Sequence, residues 1–301
     1  MPRHVPSGRD PSGRDLRLRD RTFSPGETGL LAIINRTPDS FYDAGRYLDD
    51  EVALSAVAHA VQDGADAVDI GGVKAGPGPE VSAAEELRRV VSLIAAIRQT
   101  YPDLVISIDT WRAGVADAAC DAGADLVNDA WAGHDPELTA VAAAHRAGYV
   151  CAHTGRHPPR TDPHRVRYDD VVSATVADLS RQACAAVAAG VREDGLLIDA
   201  AQDFGKNTYH SLQVTGQVST LVETGWPVLL AVSNKKFIAE TLALNGRKSD
   251  RITGTLATTA VGVWEGVRMV RAHDVAQTRQ VLDMVAGLRS GIPALARRAL
   301  A

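Results

Sequence analysis

LVISIDTWRAGVADAACDAGADLVND, residues 104–129, carries the reading from which the fold follows. It begins with a short apolar run ending at Asp109 and finishes with another, DLVND, ending at Asp129. Between them, Ala113–Ala122 is small, amphipathic and free of proline. Two buried strands joined through a helix imply parallel pairing, because antiparallel neighbours need only a tight hairpin.

The same unit repeats outward in both directions. Apolar runs fall at LLAIIN (30–35), DAVDI (66–70), LVISID (104–109), DLVND (125–129), YVCAH (149–153), LLIDA (196–200), PVLLAV (227–232) and VRMVR (267–271). Helical patterns follow them at Val52–Asp63, Ala83–Thr100, Ala113–Ala122, Leu138–Ala147, Val171–Ala189, Ser211–Glu223, Lys236–Leu244 with Ile252–Glu265, and Val275–Leu288. Eight such units in roughly 260 residues predict a single α/β domain, a (β/α)8 TIM barrel, in preference to a doubly wound sheet. The aromatic share of 5% fits small-residue helices on Val/Ile strands better than an all-β core.

Composition narrows the function. A net charge of −5 gives no basic field for a phosphate backbone, so nucleic acid is not an expected partner. No apolar run reaches the roughly 18 residues of a membrane span, and the start lacks the apolar core of a signal peptide, so a cytoplasmic protein is expected. Cys120, Cys151 and Cys184 have no disulfide or metal spacing and read as buried small hydrophobes. Residues 1–28, with a tandem PSGRD and many Arg and Asp, read as a disordered tail, and residues 29–301 as the barrel.

Polar residues end nearly every strand: Asn35, Asp69, Asp109, Asn128 with Asp129, His153, Asp199, Ser233 with Lys235, and Arg271 with His273. Singly, such residues often cap the next helix. In a barrel, all eight ends converge on the face where active sites are built. Carboxylates, amides and a lysine suit a flat heterocycle with ring N–H groups, and Arg with His suits a linked anionic group. GGVKAGPG (71–78) lacks the GxGxxG spacing of a dinucleotide turn and reads as a mobile active-site loop. His153, His157 and His164 lack the helical spacing of a zinc site.

At these residues the chain resembles dihydropteroate synthase. The resemblance runs through IINRTPDSFYDAG (33–45), VDIGG (68–72), ISIDTWRAGVA (106–116), VNDAWAG (127–133), HTG (153–155), DAAQDFGK (199–206), SNKKFI (233–238), RITGTLA (251–257) and RAHDV (271–275). It implies a homodimeric folate-biosynthesis transferase that condenses 6-hydroxymethyl-7,8-dihydropterin pyrophosphate with p-aminobenzoate. By resemblance, Asp109, Asn128, Asp199 and Lys235 would hold the pterin, with Asp109, Asp199 and Lys235 catalytic. Asn35, Arg271 and His273 would hold the pyrophosphate, and Mg2+ would bind on the Asn35 side. Phe41, Phe204 and Ser233 would face p-aminobenzoate.

The departures gather on one side. Where the family reads close to GGESTRPG, this chain has GGVKAGPG, so Ala75 and Gly76 replace a threonine and an arginine. Lys74 brings charge but not a bidentate fork. Asn234 stands in the usual Ser-Arg-Lys, Arg36 in Asn-Val-Thr-Pro, and Ala152 and Thr154 flank His153 in place of methionines. A synthase with a remodelled loop and a pterin-binding paralogue with little or no synthase activity both follow. The pterin-dependent methyltransferases that share this barrel would not need the SNKK, GTLA and RAHDV series.

Overall fold

The structure, a computed structural model, describes residues 13–37, 50–131, 133–155, 157–161, 166–244 and 248–294. A two-stranded hairpin, β1 (Leu16–Leu18) and β2 (Arg21–Phe23), precedes the barrel. Eight parallel strands close the ring: β3 (Gly29–Asn35), β4 (Ala67–Gly71), β5 (Val105–Asp109), β6 (Leu126–Asp129), β7 (Gly148–Ala152), β8 (Leu196–Asp199), β9 (Val228–Leu230) and β10 (Met269–Ala272). β10 pairs with both β9 and β3, which seals the barrel. The expected (β/α)8 architecture is therefore the one observed.

Helices α1 (Asp50–Gln62), α2 (Ala83–Thr100), α3 (Ala113–Asp121), α4 (Leu138–Ala144) and α5 (Val171–Ala188) form the first part of the surrounding layer. The helix expected over 211–223 is instead two, α6 (Thr208–Gly216) and α7 (Val218–Val222), broken at Gln217. The layer ends with α8 (Lys236–Thr241), α9 (Ile252–Trp264) and α10 (Val275–Ser290). Among the described residues, no helix is long and apolar enough to cross a membrane. Cys120 and Cys151 are buried as expected, but Cys184 is exposed: it lies on the outer side of α5, not against the strands.

The tail reading needs correction at its end. Residues 1–12 lie outside the described residues, but 16–23 are an ordered hairpin. Alternation across its strands sends Leu16, Leu18 and Phe23 to one face, where all three are fully buried against Leu31, Ala67, Val105, Leu126, Val150, Leu197, Leu229 and Met269. One residue from each barrel strand thus meets the hairpin, which plugs the bottom of the barrel. Buried Arg268 donates to the carbonyls of Arg14 and Phe23 and ties the plug down. Gly148 permits the close approach, because a Cβ there would stand 2.5 Å from Leu18 and 2.7 Å from the Gly195 carbonyl. Three buried side chains spread over eight residues leave too weak a period to outweigh the surrounding Arg and Asp.

Candidate active site

Strand residues two apart share a face. Two residues above the bottom tier, the inward positions therefore include Asp69, Ser107, Asn128, Asp199 and Arg271, and two residues higher again Asn35, Asp109, Ser233 and His273 come to the mouth. Asp129 and His153 occupy the alternate, outward positions. Asp129 binds Tyr149 Oη and the Trp131 and Gly133 amides, and buried His153 lies against Thr175 of α5. Both are structural.

A cavity of about 300 Å3 opens at the mouth, lined by Asn35, Asp109, Phe204, Ser233, Lys235, Arg271 and His273 among others. Seven of the ten residues singled out for a site thus meet in one space. Asn128 and Asp199 sit a tier deeper, both buried, and do not line it. Phe41 lies outside the described residues.

Charges are tightly arranged. Arg271 donates through Nε to Asp69 Oδ2 at 2.5 Å and through Nη2 to Asp109 Oδ2 at 2.6 Å. Asn128 Nδ2 donates to the same Asp69 oxygen at 3.2 Å. Burial pushes Asp109 up to about 7, with Arg271 acting against that rise. Burial likewise opposes the charge on Arg271, but Asp69 and Asp109 outweigh it and hold the guanidinium above its ordinary range. Asp199 is raised, chiefly by burial, and its Oδ1 accepts from the Ala201 amide at 2.8 Å.

Lys235 is drawn down to about 8 by burial, with Asp203 and Asp199 partly sustaining its charge. Its Nζ donates to the Gln202 carbonyl at 2.8 Å and lies 4.1 Å from the Phe204 ring centroid. Phe204 also meets Trp131 edge-on at 5.1 Å, so the expected aromatic wall is held from behind. Ser233 Oγ lies 2.9 Å from His273 Nδ1 and accepts from the His273 amide at 3.1 Å, which fixes the two as a unit.

Several participants escaped the sequence reading. Asp203 adopts a left-handed φ of 69°, and from that turn its carboxylate accepts from the amides of Lys236 and Phe237. Buried Lys206 donates to the His153 carbonyl at 2.6 Å and is lowered to about 7 by burial. The only sequence signal for either is a charged residue inside DAAQDFGK, just past a strand. Lys236 and Arg251 line the cavity together with Lys74 of the departing loop. That loop is held from across the mouth by Arg160, which donates to the carbonyls of Gly76 and Pro79.

An eight-stranded barrel with carboxylates, a lysine and an arginine converging at its C-terminal mouth defines a class of heterocycle-binding enzymes. Residues 31–273 match the family described as pterin binding enzyme, and the chain belongs to that family. It is 53% identical over 268 residues to a Mycobacterium tuberculosis protein named inactive dihydropteroate synthase 2, covering 88% of this chain and 84% of that one. It is 38% identical over 261 residues to the dihydropteroate synthase of Bacillus subtilis, covering 86% of this chain and 88% of the relative. The crystal structure of Yersinia pestis dihydropteroate synthase with a sulfonamide drug superposes with a TM-score of 0.86 at 31% identity, over 92% of this chain and all of that one.

Proposed function

We propose that the barrel mouth binds 6-hydroxymethyl-7,8-dihydropterin pyrophosphate, and that transfer of the pterin to p-aminobenzoate is slow or absent. One contrast carries this reading. The pterin and pyrophosphate positions keep their side chains, whereas the opposing wall at Ala75 and Gly76 offers no hydroxyl and no guanidinium. The relatives at 53% identity named inactive support it, and the synthases at 38% identity and below support the shared ligand. A working synthase is the second reading, favoured by Lys74, Lys236 and Arg251 around the same cavity.

In the transfer, the bond between the exocyclic carbon and the pyrophosphate oxygen breaks. The aniline nitrogen bonds to that carbon and then loses a proton. Asp109 and Asp199 would offset positive charge building on the pterin, and Lys235 would donate to the ring. Asn35, His273 and Arg271 would hold the departing pyrophosphate, and Phe204 and Ser233 would flank the amine.

Among the described residues no three His, Cys, Asp or Glu side chains gather as a metal site. Asn35, beside the pyrophosphate positions, would be the residue that holds magnesium together with the phosphate oxygens. Gly71 leaves room there, since a Cβ would stand 3.4 Å from Asn35 Oδ1. Bound so, magnesium would neutralise pyrophosphate charge. A homodimer is proposed through α9 and α10, where Val261, Trp264, Met284 and Leu288 are exposed.

Calorimetric titration with the pterin pyrophosphate tests the pocket. Asp109→Ala and Lys235→Ala should each weaken binding by roughly 2–4 kcal/mol, through loss of a charged partner in a buried site. Unaltered affinity in both refutes the assignment. Complementation of a strain lacking its own synthase then separates turnover from binding.

A further inference from the structure

The turn that leaves β8 runs against the backbone's preference. Ala201, Asp203 and Gly205 take left-handed φ angles of 48°, 69° and 56°. Of the three only the glycine does so without steric cost, so contacts from outside must hold the turn in shape. Those contacts lead to the start of α8. Asp203 Oδ2 accepts from the Lys236 amide at 2.6 Å, and Oδ1 accepts from the Phe237 amide at 3.2 Å. Lys235, at the N-cap position of α8, supplies no side-chain cap of its own. It reaches back instead, donating through Nζ to the Gln202 carbonyl at 2.8 Å. Gln202 and Asp203 thus grip Lys235 twice, once through its ammonium and once through the amides that follow it. The next turn residue, Phe204, lays its ring 4.1 Å from the same Nζ.

We propose that Asp203 is a positioning residue for the mouth, whose carboxylate fixes Lys235 beside Phe204 and keeps it an ammonium for the ligand. The inference rests on the pterin reading above and adds to it a residue outside the ligand set. Burial works to discharge Lys235, and Asp203 opposes it most strongly; Asp199 and Asp109 act with Asp203, and Arg271 acts against them. The support is mutual. Burial raises the Asp203 carboxyl, and Lys235 leads the groups that hold it down, followed by the Lys236 and Phe237 amides. Lys206, at the end of the turn, and Glu240 of α8, which is paired with Lys236, are the other charges that bear on the two. Asp203 also lines the cavity with Lys235 and Phe204, so the pair it joins stands where a ligand enters.

Two variants separate this role from plain capping of α8. Asn and Gly both tolerate a left-handed φ, so Asp203→Asn and Asp203→Gly remove the charge without straining the turn. Asn keeps one acceptor for the helix amides, and Gly keeps none. The pterin pyrophosphate is titrated calorimetrically into wild type and both variants across the pH range on either side of the Lys235 titration, with thermal melts to confirm folding. Wild-type affinity should fall as pH rises through about 8, where Lys235 gives up its proton. In both variants the fall should come about one pH unit lower, the shift that loss of one nearby opposite charge produces. Below the fall, where Lys235 is charged in every protein, Asp203→Asn should bind within about threefold of wild type. The ionisations of the ligand and of His273 are common to all three proteins and drop out of the comparison. A residue that only capped α8 would weaken binding equally at every pH. Midpoints unshifted in both folded variants, or a wild-type affinity flat across the range, overturn the proposal and leave the pterin reading intact. Absence of binding to the wild type at any pH removes that reading and this inference with it.

Discussion

Replacing Ala75 with Thr and Gly76 with Arg puts a hydroxyl and a guanidinium back on the wall that lacks them. The backbone accepts both: Gly76 is not left-handed, and a Cβ there meets nothing nearer than Lys74 Cε at 3.9 Å. Arg160 grips the Gly76 carbonyl, so its hold on the loop survives a new side chain. One charge-assisted contact made in the transition state contributes about 3 kcal/mol, on the order of a hundredfold in rate. Lys74, Lys236 and Arg251 already place positive charge around the cavity, which reduces what a further cation adds. Asn234, whose amide donates to Asp274, still stands in the usual Ser-Arg-Lys and is coupled to the same mouth. The expected gain is therefore about tenfold, equivalent to about 1.4 kcal/mol. The assay is incorporation of p-aminobenzoate by wild type and double variant at equal pterin saturation. Brisk wild-type turnover would show the missing arginine to be dispensable, and no gain in a variant that still binds pterin would refute the loop as the cause.

Truncating the plug should cost stability and spare the site: Phe23→Ala should lose about 3–4 kcal/mol, seen as a melting temperature lower by roughly 6–16 °C, with pterin affinity unchanged. Burial depresses Lys206 to about 7, so between pH 7 and the ordinary lysine value the unfolded chain binds more protons than the folded one. Folding stability in urea should accordingly rise with pH across that window, and Lys206→Met should flatten the rise; an unchanged slope would remove Lys206 as its source. Trp264→Glu combined with Met284→Glu should convert a dimer to a monomer in light scattering, and a variant that stays dimeric would place the interface elsewhere.

The barrel was legible because its signals are local. Each strand is a short apolar run, and each helix shows its period within its own span, as Ala83–Thr100 does to the residue. What failed were features with weak periods or long reach. The break at Gln217 falls inside a continuous helical pattern. Six of the seven cavity residues could be picked from strand ends, with Phe204 coming from the resemblance, yet the pairing of Arg271 with Asp69 could not, because it joins positions 202 apart that meet only when β10 closes on β3. The alternation rule did contain one unused signal. Asn128 and Asp129 are consecutive, so only one of them could face inward.

The hairpin plug at the bottom has an evolutionary consequence. It anchors the apolar tier at one end of the barrel, while every group assigned to ligands stands at the other. Drift in the loop that carries Ala75 and Gly76 therefore costs the fold little, because those two residues can replace polar ones without touching a buried contact of that tier. A lineage built this way can shed a reaction and still present a folded, ligand-shaped barrel to selection, which is the material from which a sensor or a carrier is made.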